Sequence, residues 1–522
     1  MSIVLAGSAR RSGARRLVGL LLGVAVFALA WWQVRMFVAD DTFIHLTYAK
    51  HLRDGEGLVF NLGERVYGTT SPLWSLALGA LGWARLDLLL IARILSIVFG
   101  ALTVMMVSRL LCDLLARMEE HRMVEPRIAD LVWLMGTLAW AADAWMARWS
   151  ASGMESSLGA FLVMAGFSAQ IRAEGRHSRA TAWLWAAAAL IRPEATLLVG
   201  LLGLRAIFEA GSRVERARRL GMVALPAIAI GGAWLAYAAS FYGTVIPITF
   251  ASKASEQTPL LHNLGVQASE IAATRGVEAL ALLAGVPFLL RRWRMAGPHL
   301  VALVWLIALP LFYAATHVLG ITRYLLLMTP VLACYGWVSI AYLASVIAGR
   351  GAFRWGRGAV LAAGLLALAV NAYVMARWVA PQARAFDRIV HETLIPTAQW
   401  FHDFTPKETQ IAIQHVGVFG YYAERNILDL SGLVTSNLTD LLAAYQYDRV
   451  ITEFRFADRA RPDYLIDVVN EPRRMLRQSP FAPCLDLLEE KPYDFRGLRT
   501  PEPGYLTVYR VDWSCVDAKR GG

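Results

Sequence analysis

Charge is what this chain has least of. Only 17% of its 522 residues are charged and 57% are hydrophobic, whereas a soluble chain carries roughly a quarter charged residues. Mean hydropathy is +0.45. A soluble globular protein is excluded, and the composition points to a polytopic α-helical membrane protein. Cysteine is scarce as well, with four in all. No CxxC or HExxH spacing occurs, so no metal motif is legible. Cys112 and Cys334 fall in apolar runs and read as small core residues. Cys484 and Cys515 fall in the polar tail, where an oxidising surrounding would make them a candidate disulfide. There is no GxGxxG and no P-loop, and so no sign of direct nucleotide-sugar or ATP use. Internal repeats and low-complexity tracts are also lacking.

The net charge of +11 is not a nucleic-acid signature. No basic stripe is interleaved with aromatics on a polar domain. The arginines gather instead in short blocks between apolar runs, which read as cytoplasmic loops. Arg10, Arg11, Arg15 and Arg16 precede the run Leu17 to Val38. That run is too long for a signal peptide and lacks a convincing small-residue cleavage site, so it is expected to be a retained first helix with its N-terminus inside.

Hydropathy and charge suggest about eleven membrane segments, each crossing a core of about 30 Å. After the first come an outer loop (39–87) and spans near 88–115, 128–147 and 154–171. Basic blocks at 172–179 and 213–219 flank an apolar stretch too short for two full spans and wrong in parity for one. Two short helices broken at Ile191-Arg192-Pro193-Glu194 are therefore expected, with Arg192 and Glu194 near membrane depth, paired or facing a cavity. Further spans fall near 221–241, 276–290, 299–316, 325–347 and 358–379. From about residue 380 charge rises and strand-like pieces appear (TQIAIQHVG, NILDL, PDYLIDVV, GYLTVYRV). The expected organisation is a membrane domain over 1–379 and a soluble α/β domain of ~140 residues over 380–522 on the outer side.

Polar chemistry concentrates in the outer loop. Asp40 and Asp41 sit at the mouth of the first span, where two adjacent carboxylates are costly unless a site uses them. They open the segment DDTFIHLTYAKHLRDGEGLVFNLGERVYGTTSPLW. The alternative is an N-cap pair for an amphipathic helix near 42–53. Glu64, Arg65, Tyr67 and Thr70 form a second cluster, read either as an acceptor groove or as a self-bonded loop. His45 and Tyr48 share a helical face and read as surface packing. Glu155 is a lone carboxylate at the outer start of a helix, either functional or a cap. Arg192 and Glu194 read as an ion pair holding the broken hairpin. Lys253 and Arg323, with the Tyr324 hydroxyl, are the outer-face candidates for a phosphate, or else snorkel to lipid headgroups.

This segment resembles the first outer loop of membrane glycosyltransferases of the GT-C fold, which use polyprenyl-phosphate sugars. Within that group it is most similar to the arabinofuranosyltransferase family of the mycobacterial cell wall and its bacterial relatives. SGMESSLGAFL (152–162), IRPEA (191–195), YGTVIPITFASK (242–253), TRYLLLMTPVL (322–332) and VGVFGYYAERNILDLSGL (416–433) extend the likeness along the chain. The resemblance implies an inverting single displacement on the outer face of a bacterial inner membrane. The sugar, first of all arabinofuranose, would pass from a polyprenyl phosphate to a glycan, lipid or protein. One of the acidic pair would be the base, Asp40 as first choice with Asp41 orienting. His415 and Asp429 fall in the outer-domain motif, Asp429 more as a turn former than as an acceptor contact. At His415 this chain departs from relatives that often carry an acidic residue there. No cofactor is required by the residues; a divalent cation stays open, since two carboxylates are too few ligands to argue for one. The rival readings are a transporter or flippase of lipid-linked intermediates, which would show repeated halves, and a non-catalytic scaffold.

Overall fold

In the computed structural model, residues 2–173, 176–254, 258–292, 297–349, 352–435, 438–445, 447–493 and 504–521 are described. The first helix, α1 (Ser2–Trp32), is followed by two short helices that lie across the mouth of the bundle, α2 (Asp40–Arg53) and α3 (Pro72–Gly82). The bundle continues through α4 (Leu88–Glu120), α5 (Pro126–Ala141), α6 (Ala144–Ala151), α7 (Ser156–Arg172), α8 (Arg179–Ile191) and α9 (Thr196–Phe208). It goes on through α10 (Arg213–Pro226), α11 (Ala233–Tyr242), α12 (Ile248–Ala254), α13 (Leu260–Arg292) and α14 (Pro298–Ala315). Next come the short α15 (Thr322–Leu325), then α16 (Thr329–Ala348) and α17 (Phe353–Val374), which leads into α18 (Ala380–Arg388) and α19 (Ile395–Phe404).

Local signals start these helices where they begin. Asp87 accepts a bond from Leu90 N at 2.6 Å to cap α4, and Asp143 does the same from Met146 N at 2.6 Å for α6. Ser212 and Glu215 form a capping box on α10. Four of the described helical stretches are long and apolar enough to cross a membrane, and the shorter apolar helices include Arg179–Ile191. Leu17, Leu21 and Leu29 of α1 are more than half exposed, as lipid-facing side chains are, while α16 runs through the centre of the bundle, 72% of its apolar window buried. The chain is a polytopic helical membrane protein.

The break at Ile191–Glu194 is real. Arg192 is extended, a single 3₁₀ turn spans Pro193–Ala195, and both Arg192 and Glu194 are buried. Helix α13 starts well before the span expected at 276–290. Its first half is polar, and hydropathy missed it because those polar groups are satisfied inside the protein. Asn263 donates to Tyr313 O at 3.1 Å and Val318 O at 2.8 Å, and Gln267 to Pro310 O at 3.2 Å. The helix kinks at Arg275, whose guanidinium is held by Asp143 (2.6 Å) and Glu278 (2.8 Å).

The C-terminal part carries a five-stranded sheet. Its strands are β1 (Gln410–Ile413), β2 (Asn426–Asp429), β3 (Tyr464–Val469), β4 (Leu485–Tyr493) and β5 (Gly504–Val511), in the order β2-β1-β3-β5-β4. The first three are parallel, and β5 runs antiparallel to β3 and β4. Helix α20 (Val416–Tyr422) crosses from β1 to β2. Alternation decides the two faces. Ile411, Ile413, Ile466 and Val468 pack toward α19 and the bundle, while Ala412, Leu465 and Tyr509 join a separate core on the other side. Cys484 and Cys515 are bonded, tying the start of β4 to the C-terminal helix across 31 residues. Replacing both by Ser is expected to cost ~4 kcal/mol, the loop-closure value for such a separation. Thermal unfolding of wild type with and without reductant, beside the double variant, measures it.

Candidate functional site

Three sequence-distant segments meet at the mouth of the bundle. Helix α2 starts with Asp40 and Asp41 in its first turn, yet neither side chain caps it. The turn Ser152–Glu155 lies against its start, with Thr42 Oγ1 donating to Ser152 O at 2.7 Å. Gly153 has φ +79°, and a Cβ there would lie 2.8 Å from Thr42 Cγ2, so the close approach requires glycine. That turn aims Glu155 at the same cavity as Asp41. Glu155 makes no side-chain cap to α7, against the capping alternative. Arg192, extended at the break between α8 and α9, and Arg323 of α15 complete the ring of charges.

The pairs alternate in sign. Arg323 Nη1 contacts Asp41 Oδ2 at 2.6 Å, with the Asp41 side chain 32% exposed toward the cavity. Arg323 Nη2 donates to the Tyr324 hydroxyl at 3.1 Å. Arg192 Nη1 lies 3.3 Å from Glu155 Oε1 and its Nε 3.5 Å from Glu194 Oε1. Tyr313 donates its hydroxyl to Glu194 and stacks on Tyr324, centroids 5.2 Å apart. Arg192 lies over the face of Tyr324 at 4.6 Å. The opposed carboxylate and tyrosine oxygens hold the Arg323 guanidinium even more firmly charged than usual, against the cost of burial. Spare capacity remains: Arg192 Nη2, Arg323 Nε and both Glu155 oxygens are buried without a well-formed hydrogen bond. Such groups call for an explanation, and a polar ligand supplies one.

Asp41, Glu155, Arg192, Arg323, His45 and Thr70 line one cavity that is open on one side, with Thr249 and Leu433 forming part of its roof. Its free space is about 30 Å³, enough for one or two waters. His45 belongs here, with Nε2 3.3 Å from Glu155 Oε2 and Nδ1 3.2 Å from Ser75 Oγ. Sequence reading took it for surface packing; spacing on α2 could not show a partner from residue 155. Tyr313 was missed for the same reason.

The two members of the acidic pair part company. Asp40 does not line the cavity. Its carboxylate accepts bonds from Gly417 N (3.2 Å) and Val418 N (3.0 Å) at the start of α20. The preference for Asp40 as base thus meets a geometry that turns it toward the C-terminal sheet and leaves Asp41 facing the cavity. Burial pushes the Asp40 carboxyl above its usual range, opposed by the neighbouring His415 and the two backbone donors. A Cβ on Gly417 would fall 2.0 Å from Asp40 O, so this docking requires glycine.

The second loop cluster is mostly internal. Glu64 accepts from Asn61 at 3.1 Å, and Asn61 also donates to Ile427 O at 2.9 Å and accepts from Ile427 N at 3.0 Å. Arg65 lies over Phe241, and Tyr67 stacks on Tyr242 while accepting from Trp234 Nε1 at 2.7 Å. Of the four, only Thr70 reaches the cavity. Asp429 is buried and gathers Ser431 N (2.7 Å), Val434 N (2.8 Å) and Leu433 N. It is a turn former that sets Leu433 over the cavity. Lys253 falls in α12, its side chain outside the described residues. Among the described residues no group of three or more His, Cys, Asp or Glu is placed to hold a metal ion.

Residues 371–514 match a family described as "Domain of unknown function (DUF8728)". The chain is 29% identical over 252 residues to a terminal β-(1→2)-arabinofuranosyltransferase of Mycobacterium tuberculosis, covering 45% of this chain and 38% of that protein. It is 26% identical over 255 residues to the protein of the same name in Corynebacterium glutamicum, covering 46% and 36%. The chain thus spans less than two-fifths of the length of these curated relatives. ArnT from Cupriavidus metallidurans, bound to undecaprenyl phosphate, superposes with TM-score 0.54 at 14% identity, covering 93% of this chain and 97% of that one. AglB from Archaeoglobus fulgidus, in complex with an inhibitory peptide and a dolichol-phosphate, superposes with TM-score 0.56 at 12% identity, covering 94% and 74%. The chain shares its overall fold with these two proteins.

A carboxyl whose pKa is raised by folding costs stability once ionised, so stability falls as pH rises from the ordinary aspartate range through the raised value. Asp40→Asn removes that cost. The variant is expected to match or exceed wild-type Tm at neutral pH and to flatten the fall in Tm between acid and neutral pH. A Tm well below wild type at pH 7 would show that the ionised group is stabilising.

Proposed function

We propose that this chain is an inverting glycosyltransferase that moves arabinofuranose from a polyprenyl phosphate to a glycan, lipid or protein acceptor. The carrying observation is the Asp41–Arg323 contact on a cavity shared with Glu155 and Arg192. A base and phosphate-matched cations stand side by side there, in a fold shared with proteins caught holding polyprenyl phosphates. The similarity to two arabinofuranosyltransferases supports the sugar.

Asp41 is the base in this reading and Asp40 the residue that positions it. The acceptor hydroxyl gives its proton to Asp41 as its oxygen bonds to the anomeric carbon. The bond from that carbon to the phosphate oxygen breaks, and the electron pair leaves on the phosphate, so configuration inverts. Arg323 meets the departing phosphate, with Arg192 next to it. Arg323 holds Asp41 at 2.6 Å; a phosphate that draws Arg323 away relieves Asp41 of that cation and makes it a better proton acceptor. Base strength thus rises when donor is bound, which disfavours proton uptake without a donor. The donor set does not suit a resident divalent cation, since Arg323 and Arg192 already face Asp41 and Glu155. Phosphate neutralisation then rests on the arginines.

In this reading the N-terminus is cytoplasmic and the chain makes about eleven crossings, with the C-terminal domain outside a bacterial inner membrane; the basic blocks between apolar runs support that orientation. Repeated halves, the mark of a transporter, are lacking in the sequence.

Asp41→Asn is expected to lower transfer roughly 10²–10⁴-fold, the range for a lost general base, while Asp40→Asn stays within about tenfold of wild type. Arg323→Ala is expected to raise the donor KM and lower kcat by roughly 10²–10³-fold, with Arg323→Lys intermediate. Radiolabelled transfer from synthetic polyprenyl-phosphate arabinofuranose by purified protein, with and without EDTA, checks these. Full activity of Asp41→Asn, or abolition by EDTA that Mg²⁺ restores, would overturn the assignment.

A further inference from the structure

A second cavity lies apart from the reaction cavity. It is about 310 Å³ and lies where α1 ends and α18 begins, lined by Trp32, Gln33, Arg35, Phe37, Ala383 and Arg384 among others. Both arginines hydrogen-bond only to carbonyls of their own segment, Arg35 to Trp32 O at 2.8 Å and Arg384 to Ala380 O at 3.2 Å. Neither pairs with a carboxylate among the described residues. Two more cations stand behind them. Arg93 donates to Arg35 O, and Arg148 lies 4.5 Å over the face of Phe37 and donates to Gln382 at 2.9 Å, its Nε buried without a partner. The nearest opposing charges are Asp387, drawn off by His391 at 2.9 Å, and Glu270, which faces Arg148 from α13. Four arginines thus stand against two acidic groups.

The level of this cavity is marked by its neighbours. Trp32 and Met36 of its lining are about half exposed, and so is Trp378, two residues before the lining residue Ala380. Aromatic side chains of this kind settle at headgroup level. A cavity at that level, lined by two guanidinium groups that no carboxylate neutralises among the described residues, suits the phosphate of a lipid whose chains lie along α1 and α17.

We infer that this cavity is a second lipid-phosphate site, separate from the reaction cavity, in which Arg35 and Arg384 hold the phosphate of a membrane lipid. The two sites are joined through α6. Arg148 lies 5.6 Å from the ring centroid of Trp149, Trp149 donates to Thr322 Oγ1 at 2.9 Å, and Arg323 lies 5.7 Å from that same ring. An occupant at the rim would steady the residue next to Arg323.

Native mass spectrometry of the full-length protein in detergent, titrated separately with phosphatidylglycerol, phosphatidylcholine and undecaprenyl phosphate, tests this. Wild type is expected to retain an anionic lipid that Arg35→Ala/Arg384→Ala binds roughly tenfold or more weakly, whereas Arg35→Lys/Arg384→Lys keeps most of the affinity. Competition by undecaprenyl phosphate for that lipid would name the polyprenyl phosphate as the occupant; its absence would name the phospholipid. Equal retention by wild type and the alanine variant, with Tm unchanged, would overturn the site. So would a loss shared equally by the lysine variant. Asp41→Asn should leave retention unchanged, which separates this result from the fate of the proposed reaction.

Discussion

The structure turns on neutralising charge where water is scarce. Asp41, Glu155 and Glu194 cannot be stripped of solvent alone; Asp41 and Glu155 are each met by an arginine from another part of the chain, and Glu194 by Arg192 beside it. The contacts reach from α2 to α15 and from the Ser152–Glu155 turn to the α8–α9 break. The same pairs that give the site its chemistry therefore hold four segments in place. Removing one partner of a buried pair costs roughly 3–5 kcal/mol, because the other is left charged and alone. An exchange of one anion for another avoids that cost. A phosphate arriving at Arg323 or Arg192 substitutes for a carboxylate without leaving a bare cation, which is how a closed network of ion pairs can admit a ligand.

The C-terminal sheet is bound to this arrangement by polar contacts rather than by apolar area alone. Asp40 meets the start of α20, Asn61 pairs both ways with the backbone of Ile427, and Ser252 donates to Ser431 O at 2.6 Å. Lys50 pairs with Glu424. Asp40 reaches the sheet at the C-terminal end of β1, where parallel strands commonly present backbone donors. Through these contacts the domain brings Leu433 over the cavity. The roof of the site is thus shared between the turn after β2 and α12, and its floor belongs to the bundle.

Much of this was legible in sequence wherever the signal is local. The apolar runs, the proline break at Pro193 and the strands β1, β2, β3 and β5 follow from patterns a few residues long. The edge strand β4 did not, because Asp486, Glu489 and Glu490 and a bulge near Leu487 interrupt its alternation. The charged residues of the site were recognisable as charges out of place. Their partners were not, since Asp41 and Arg323 are 282 residues apart and no periodicity links them. The order within the acidic pair was illegible for a related reason. Adjacent residues on a helix point about 100° apart, and only the position of α20 decides which of the two faces the cavity.

The size of the cavity decides how the site must work. The cavity itself has free space of about 30 Å³ and is open on one side, so a pentose with its phosphate would reach past it, and a closer fit calls for part of the wall to move. The floor is poorly suited to moving, because Glu155, Arg192 and Glu194 are buried against Tyr313 and Tyr324 on rigid helix ends. The roof is better placed. Leu433 sits on a turn gathered around Asp429, and Thr249 lies in the short α12. Ser252 of α12 is bonded to Ser431 of that turn, so the two roof elements would shift together. Displacement of Arg323 from Asp41 would widen the same space from the side. Opening of the roof and release of the carboxylate are then coupled by geometry, because both enlarge the volume a donor needs.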